Sequence, residues 1–114
     1  MKLLPSLRHK KRYVVFEIIS SAKFSWKEIQ EEVQHCLQQF LGDLGLSQAS
    51  PLLIPEKFNP KAQRFILKVN HTFVDEVKAA LTLSKKIKNT PLIMKSVIVS
   101  GTLQQASSYT RGVS

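Results

Sequence analysis

The chain has 114 residues, 43% of them hydrophobic, and a formal net charge of +9 from seventeen Lys and Arg against eight Asp and Glu. That length holds one domain with a modest core, and the hydrophobic share excludes global disorder. The charge opposes compaction through self-repulsion and calls for an anionic partner, while no apolar run approaches the roughly 20 residues a bilayer span needs.

Residues 1–12 read as a basic arm. Lys2, Arg8, Lys10, Lys11 and Arg12 supply its charge, and no acid precedes Glu17. Such an arm repels itself and cannot fold alone, so it needs a polyanion or open solvent. Leu3-Leu4 ahead of Pro5 is too short for a signal-peptide core, which points to the cytoplasm. The arm runs without a linker into a strand over residues 13–20, β-branched and aromatic-rich and ended by Ser20-Ser21. Val14, Phe16 and Ile18 make one all-apolar face for helices to cover. Tyr13, Val15, Glu17 and Ile19 make a mixed face, partly open or turned to a partner.

Ser25-Trp26-Lys27-Glu28 is a capping box that starts a helix. Ile29, Val33, Cys36, Leu37, Phe40 and Leu44 follow at helical spacing as its buried stripe, and Gly42 and Gly45 supply the stop. Cys36, the single cysteine, reads as a core residue and excludes an internal disulfide, which fits a reducing setting. Pro51-Leu52-Leu53-Ile54-Pro55 is a short edge strand bracketed by prolines. A turn over 57–61 leads to a strand from Gln63 to Asn70, with Phe65, Leu67 and Val69 on one face and Arg64 and Lys68 flanking Ile66 on the other. The sequon Asn70-His71-Thr72 has no meaning without export. Thr72-Phe73-Val74-Asp75 opens a second helix with Phe73, Val77, Ala80, Leu81 and Ser84 inward. It ends at Lys85-Lys86-Ile87-Lys88-Asn89, where cations suit a helix C-terminus, and Pro91 prevents continuation. Ile93 to Ser100 is the last strand, closed by Gly101, whose place suggests a positive φ or a close approach of RNA or chain. Residues 104–114 form a polar tail, helical at first and then disordered.

The order β-α-β-β-α-β is the split, ferredoxin-like pattern of an α+β sandwich: a four-stranded antiparallel sheet with two helices on one face, in a single domain over 13–103. Strands one and three are central neighbours, so the Tyr13 face adjoins Arg64 and Lys68 and makes a basic, partly apolar open surface. The cations set to meet RNA are Arg8, Lys10, Lys11 and Arg12 on the arm, Arg64 and Lys68 on that face, Lys85, Lys86 and Lys88 after the second helix, and Lys95 on the last strand. Ser100 and Thr102 beside Gly101 are further phosphate donors. Tyr13, Val15 and Ile19 leave apolar area for a protein partner, unless the polar tail folds back and covers this face.

No catalytic constellation and no metal ligand set is visible. His35 and Cys36 are consecutive, about 100° apart on a helix, and cannot easily share a metal. The third strand reads Lys61-Ala62-Gln63-Arg64-Phe65-Ile66-Leu67-Lys68. It lacks the glycine and most of the aromatics with which an RNA-recognition motif stacks bases, so cationic contact with the backbone of a folded RNA fits better. A small-molecule regulatory domain of the same topology would need a Gly-containing loop after strand one, and an acylphosphatase-like enzyme an Arg there. Ser20-Ser21-Ala22-Lys23-Phe24 has neither. A ribosome-associated RNA-binding protein would share the charge and the fold.

Three segments carry a family likeness: Leu4-Pro5-Ser6-Leu7-Arg8 with Lys10-Lys11-Arg12-Tyr13-Val14-Val15-Phe16-Glu17; Val77-Lys78-Ala79-Ala80-Leu81-Thr82-Leu83; and Val97-Ile98-Val99-Ser100-Gly101-Thr102-Leu103. In order, spacing and length the chain resembles the archaeal ribonuclease P protein component 2 family, related to a small eukaryotic ribonuclease P/MRP subunit. The resemblance implies a ferredoxin-like sandwich that is not catalytic alone. It would be a subunit of an RNA-based endoribonuclease that removes 5′ leaders from precursor tRNA. It implies ribonuclease P RNA as partner, a second, barrel-shaped protein subunit, paired as a dimer of heterodimers, and other ribonuclease P proteins. The protein itself would bind no cofactor, and the Mg²⁺ would sit on the RNA. Residues 47–61, rich in proline, and the tail after Leu103, with Arg111 its one basic residue, depart from the family pattern.

Overall fold

The computed structural model describes residues 10–110. Alternating apolar side chains make β1 (Lys11–Ile19) and β3 (Arg64–Asn70), which pair antiparallel at the sheet centre. β6 (Ile93–Ser100) pairs with the other side of β1, and the two-residue β2 (Leu52–Leu53) lies outside β3, giving the order β2-β3-β1-β6. β2 is an edge strand, as its flanking prolines require.

α1 (Trp26–Ala49) starts at the expected box: the Ser25 side chain accepts from the Glu28 N–H at 3.3 Å, and Glu28 Oε1 accepts from the Ser25 N–H at 2.9 Å. Gly42 does adopt the left-handed φ of 71°, but the helix kinks there and resumes to Ala49 instead of stopping. Past Leu37 the expected stripe fails: Phe40 and Leu44 face outward while Ala49 is buried. α2 (Val74–Thr82) follows a 3₁₀ turn over His71–Phe73, with no side-chain cap at its start. It ends before the lysines expected to close it. Lys86–Ile87 (β4) pairs instead with Thr90–Pro91 (β5), and Lys88 and Asn89, at φ 49° and 66°, form the two-residue turn. Two left-handed residues match the twist of a tight hairpin, and asparagine tolerates that region well.

α1 and α2 cover one face of the sheet, over Phe16, Phe65, Leu67, Val69, Ile29, Val33 and Leu81. The other face is not open. The segment expected as a polar tail, helical at first, forms α3 (Leu103–Thr110), which folds back on β1, β3 and β6. Its Ala106 seals a second, smaller core with Val15 and Ile66, all three 0% exposed, and Tyr13, Val97, Ile98 and Leu103 pack around them. A bulge makes this fit. Val15 pairs with Ile98 but Phe16 with Ser96, leaving Val97 as an extra residue on β6. Val97 and Ile98 therefore both contribute to the core under α3. The sandwich thus has three layers, two helices, sheet, one helix.

Candidate nucleic-acid interface

The cations named from sequence fall at two ends of the sheet. Lys10, Lys11 and Arg12 stand where β1 begins, and Arg8 lies outside the described residues. The register sets Lys11 opposite Asn70, Arg12 opposite Val69, and Tyr13 between Lys68 and Ser100. The first strand's start therefore meets the ends of β3 and β6. Lys10 is exposed, and its carbonyl accepts from the His71 N–H at 2.8 Å, with His71 Nδ1 at 3.2 Å. Lys68 Nζ lies 5.9 Å from the Tyr13 ring centroid, within cation–π range. Arg12 Nη1 is 3.3 Å from the Lys11 carbonyl and approaches Gly101 at the start of α3. Lys10, Lys11, Arg12 and Lys68 make one cationic edge, with exposed His71 a residue that sequence reasoning did not single out. Asp75 and Glu76, in the first turn of α2, are its acidic neighbours along the chain.

The remaining cations are elsewhere, and two of them, Arg64 and Lys88, are committed to ion pairs. About 20 Å along β1 from Lys11, Glu17 lies in register between Arg64 and Lys95. Arg64 Nε is 3.4 Å from Glu17 Oε2, and its Nη1 donates to the Tyr109 carbonyl at 2.7 Å, closing the C-terminal turn of α3. A guanidinium so engaged holds the lid over the sheet and has little left for phosphate. Lys88 Nζ sits 3.3 Å from Glu28 Oε2, so it braces the hairpin against α1. This ion pair and the backbone hydrogen bond from Ser25, the larger influence, lower the Glu28 pKa from its ordinary value. Lys85, Lys86 and Lys95 are exposed.

Two sequence readings need correction. Val15 is fully buried beneath α3 and offers nothing to a protein partner; Tyr13 is half-buried there, and only Ile19, 48% exposed, reaches the surface. Gly101 lacks a positive φ, and of its hydroxyl neighbours Ser100 is committed within the chain. Ser100 Oγ accepts from the Thr102 N–H at 3.1 Å and lies 2.9 Å from Gln105 Oε1, while Thr102 Oγ1 accepts from the Gln105 N–H at 3.3 Å. Both start α3; Ser100 is buried and donates to the Thr102 carbonyl at 3.0 Å, so it is not a free phosphate donor, whereas Thr102 is exposed and its hydroxyl proton is not engaged within α3.

Gln63, unremarked in the sequence, is 5% exposed with a φ of 53°, and its amide accepts from the Phe24 N–H and donates to the Phe24 and Pro60 carbonyls. It clamps the loop before α1. Cys36 is buried as expected; its thiol donates to Glu32 Oε2 at 3.3 Å, and burial, with the Glu32 charge next, pushes its pKa up to about 12. A thiol held protonated is not a nucleophile. Among the described residues no group of three His, Cys, Asp or Glu is placed to hold a metal, and no helix is long and apolar enough to cross a membrane.

A sequence model of the Rpp14/Pop5 family matches residues 12–111. Proteins named ribonuclease P protein component 2 are similar over most of the chain. That of Pyrococcus furiosus is 38% identical over 103 residues, covering 90% of this chain and 84% of its own. That of Methanocaldococcus jannaschii is 34% identical, covering 91% and 75%, and that of Methanosarcina mazei 34% identical, covering 93% and 88%. A chain in the cryo-EM structure of yeast ribonuclease MRP superposes with a TM-score of 0.64 at 11% identity, covering 91% of this chain and 88% of that one. At that identity the likeness speaks for the fold.

Proposed function

Since this chain belongs to the Rpp14/Pop5 family, we propose that it is a protein subunit of ribonuclease P, binding the catalytic RNA that removes 5′ leaders from precursor tRNA. The observation that supports this most directly is the cationic edge. Lys10, Lys11, Arg12 and Lys68 are gathered where three strand ends meet, on a chain of net charge +9. Phosphate contacts of this kind position a folded RNA without reading its bases. They also release counterions, which makes binding depend steeply on salt. Cations supplied by the protein take over part of the screening that the RNA otherwise draws from Mg²⁺. The reacting Mg²⁺ belongs to the RNA in this reading, and the protein works in the cytoplasm with other protein components, a barrel-shaped one among them, as a dimer of heterodimers.

Reconstitution tests this. The purified protein alone should cleave no precursor tRNA, and with its own ribonuclease P RNA it should raise cleavage at limiting Mg²⁺. RNA-free activity that survives nuclease treatment would overturn the proposal. Sequencing the RNA retained by the endogenous protein adds a second arm: one dominant ribonuclease P RNA supports it, and ribosomal RNA would assign the chain to the ribosome instead.

A further inference from the structure

The kink in α1 opens a groove unlike the rest of this basic surface. Beyond Gly42 the helix turns so that Leu46 packs on the core, while Leu44 stands 72% exposed. Between the kinked helix and β2 lies a groove of ≈ 630 Å³ whose floor is Val33, Leu37, Leu53 and Leu67. Its rim is Gln34, Gln38 and Asp43, and among the described residues no Lys or Arg lines it. Leu52, 58% exposed, forms its outer lip on a strand hydrogen-bonded to β3 on one side only. A phosphate backbone finds no cation there, and the one charged group on the lining, Asp43, repels it. An apolar segment finds a floor for its side chains, free strand edge for its backbone, and a carboxylate for a cation. Asp43 accepts one hydrogen bond at Oδ1, from Gln38 at 2.8 Å, and is exposed.

We infer that this groove is the docking site of an extended apolar segment bearing a Lys or Arg, contributed by another protein component of the same particle; the inference rests on the function proposed above. Charge complementarity selects the occupant, since an apolar cleft whose one charged lining residue is Asp43, on a strongly basic chain, favours a peptide bearing a cation over RNA. Ser47 and Ser50 line both this groove and the neighbouring one that holds Lys11. The protein site and the RNA edge are therefore adjacent, and one partner can reach both.

The test uses the full chain, its ribonuclease P RNA and the other purified protein components. Leu52→Asp and Asp43→Lys both change exposed side chains, so the variants should fold with wild-type melting temperatures. Each should weaken binding of one protein component at least tenfold, measured by calorimetry, and leave affinity for the RNA within about twofold. A photocrosslinking residue at Gln34, on the groove rim, should capture a segment of that component containing Lys or Arg among apolar residues. A complex formed with wild-type affinity by both variants overturns the inference while leaving the proposed function intact. Crosslinks to RNA, to residues 1–9 of the same chain, or to a second copy also overturn it. If the wild-type chain binds no protein component and no ribonuclease P RNA, the function falls as well.

Discussion

Replacing Val15 by alanine measures whether α3 closes the sheet. Val15 is 0% exposed, between Ile66, Ile98 and Ala106. The change removes two buried carbons, about 1.6 kcal/mol at about 0.8 kcal/mol per methylene. The space left, some tens of Å³ and unable to collapse fully in a central strand, adds roughly 1 kcal/mol at about 24 cal/mol per Å³. The expected loss is about 2–3 kcal/mol. For a domain of this size that is a fall in melting temperature of roughly 8–20 °C. Thermal and urea unfolding of the isolated protein, followed by circular dichroism, gives both numbers. Ile19→Ala, on the same face but 48% exposed, is the control and should stay within about 0.5 kcal/mol. A melting temperature for Val15→Ala within about 2 °C of wild type would mean that α3 does not cover this face and that Val15 is free for a partner.

Replacing Lys10, Lys11 and Arg12 together by alanine should flatten the salt dependence of RNA binding by about 0.7–0.9 in log–log slope per lost phosphate contact; an unchanged slope removes this edge from the interface. Arg64→Met should act the other way, costing about 1–3 kcal/mol in unfolding experiments through the orphaned Glu17 and Tyr109 groups while the salt slope holds; a slope change as large as that of Lys10→Ala alone would return Arg64 to the RNA. Gly101→Ala should leave the melting temperature nearly unmoved, because a Cβ there would meet nothing closer than Arg12 Nη1 at 3.8 Å; a drop of more than about 5 °C contradicts the backbone described. The Glu28 carboxylate is held below its ordinary pKa, so the stability it contributes is present above the usual glutamate range and is lost as the pH falls through the lowered value. A pH series of melting temperatures should show that acid limb in wild type and a weaker one in Glu28→Gln; superimposable curves would make the cap independent of charge.

Much of this architecture is legible in the chain because strand alternation and caps are local signals. Val14, Phe16 and Ile18 match Phe65, Leu67 and Val69 across one face, and Ser25 with Glu28 marks the start of α1 unaided. What escaped the reading depends on pairing or on partners far along the chain. Gly42 signals a helix stop and delivers only a kink, because Leu46 beyond it reaches the core and the helix resumes. Lys85 to Asn89 suits a helix end by charge; the turn residues Lys88 and Asn89 close a hairpin because Ile87 and Leu92 are buried on either side. The helical start of the tail is legible, but not that it closes the sheet: Leu103, Ala106, Ser107 and Thr110 fall at helical spacing, yet their mostly small and polar side chains carry little hydrophobic signal. The site divides the same way. Lys10 to Arg12 stand out by composition, whereas Arg64 looks available until the register puts Glu17 beside it.

The two faces of the sheet are closed to unequal depth, and that makes the molecule's fluctuations lopsided. On one side α1 and α2 bury a deep cluster; on the other a single eight-residue helix rests on Val15 and Ile66 through Ala106, with Leu103 beside it. α3 adjoins β6 in sequence, so it can lift away without unthreading any strand, and local opening of this kind lies well below the free energy of global unfolding. In hydrogen exchange the amides of residues 106–110 therefore lose protection first, those of β1 and β3 last. The hydrogen bonds from Arg64 and Asn59 to the carbonyls of Tyr109 and Thr110 then act as latches, setting how often a hidden strip of sheet meets the solvent.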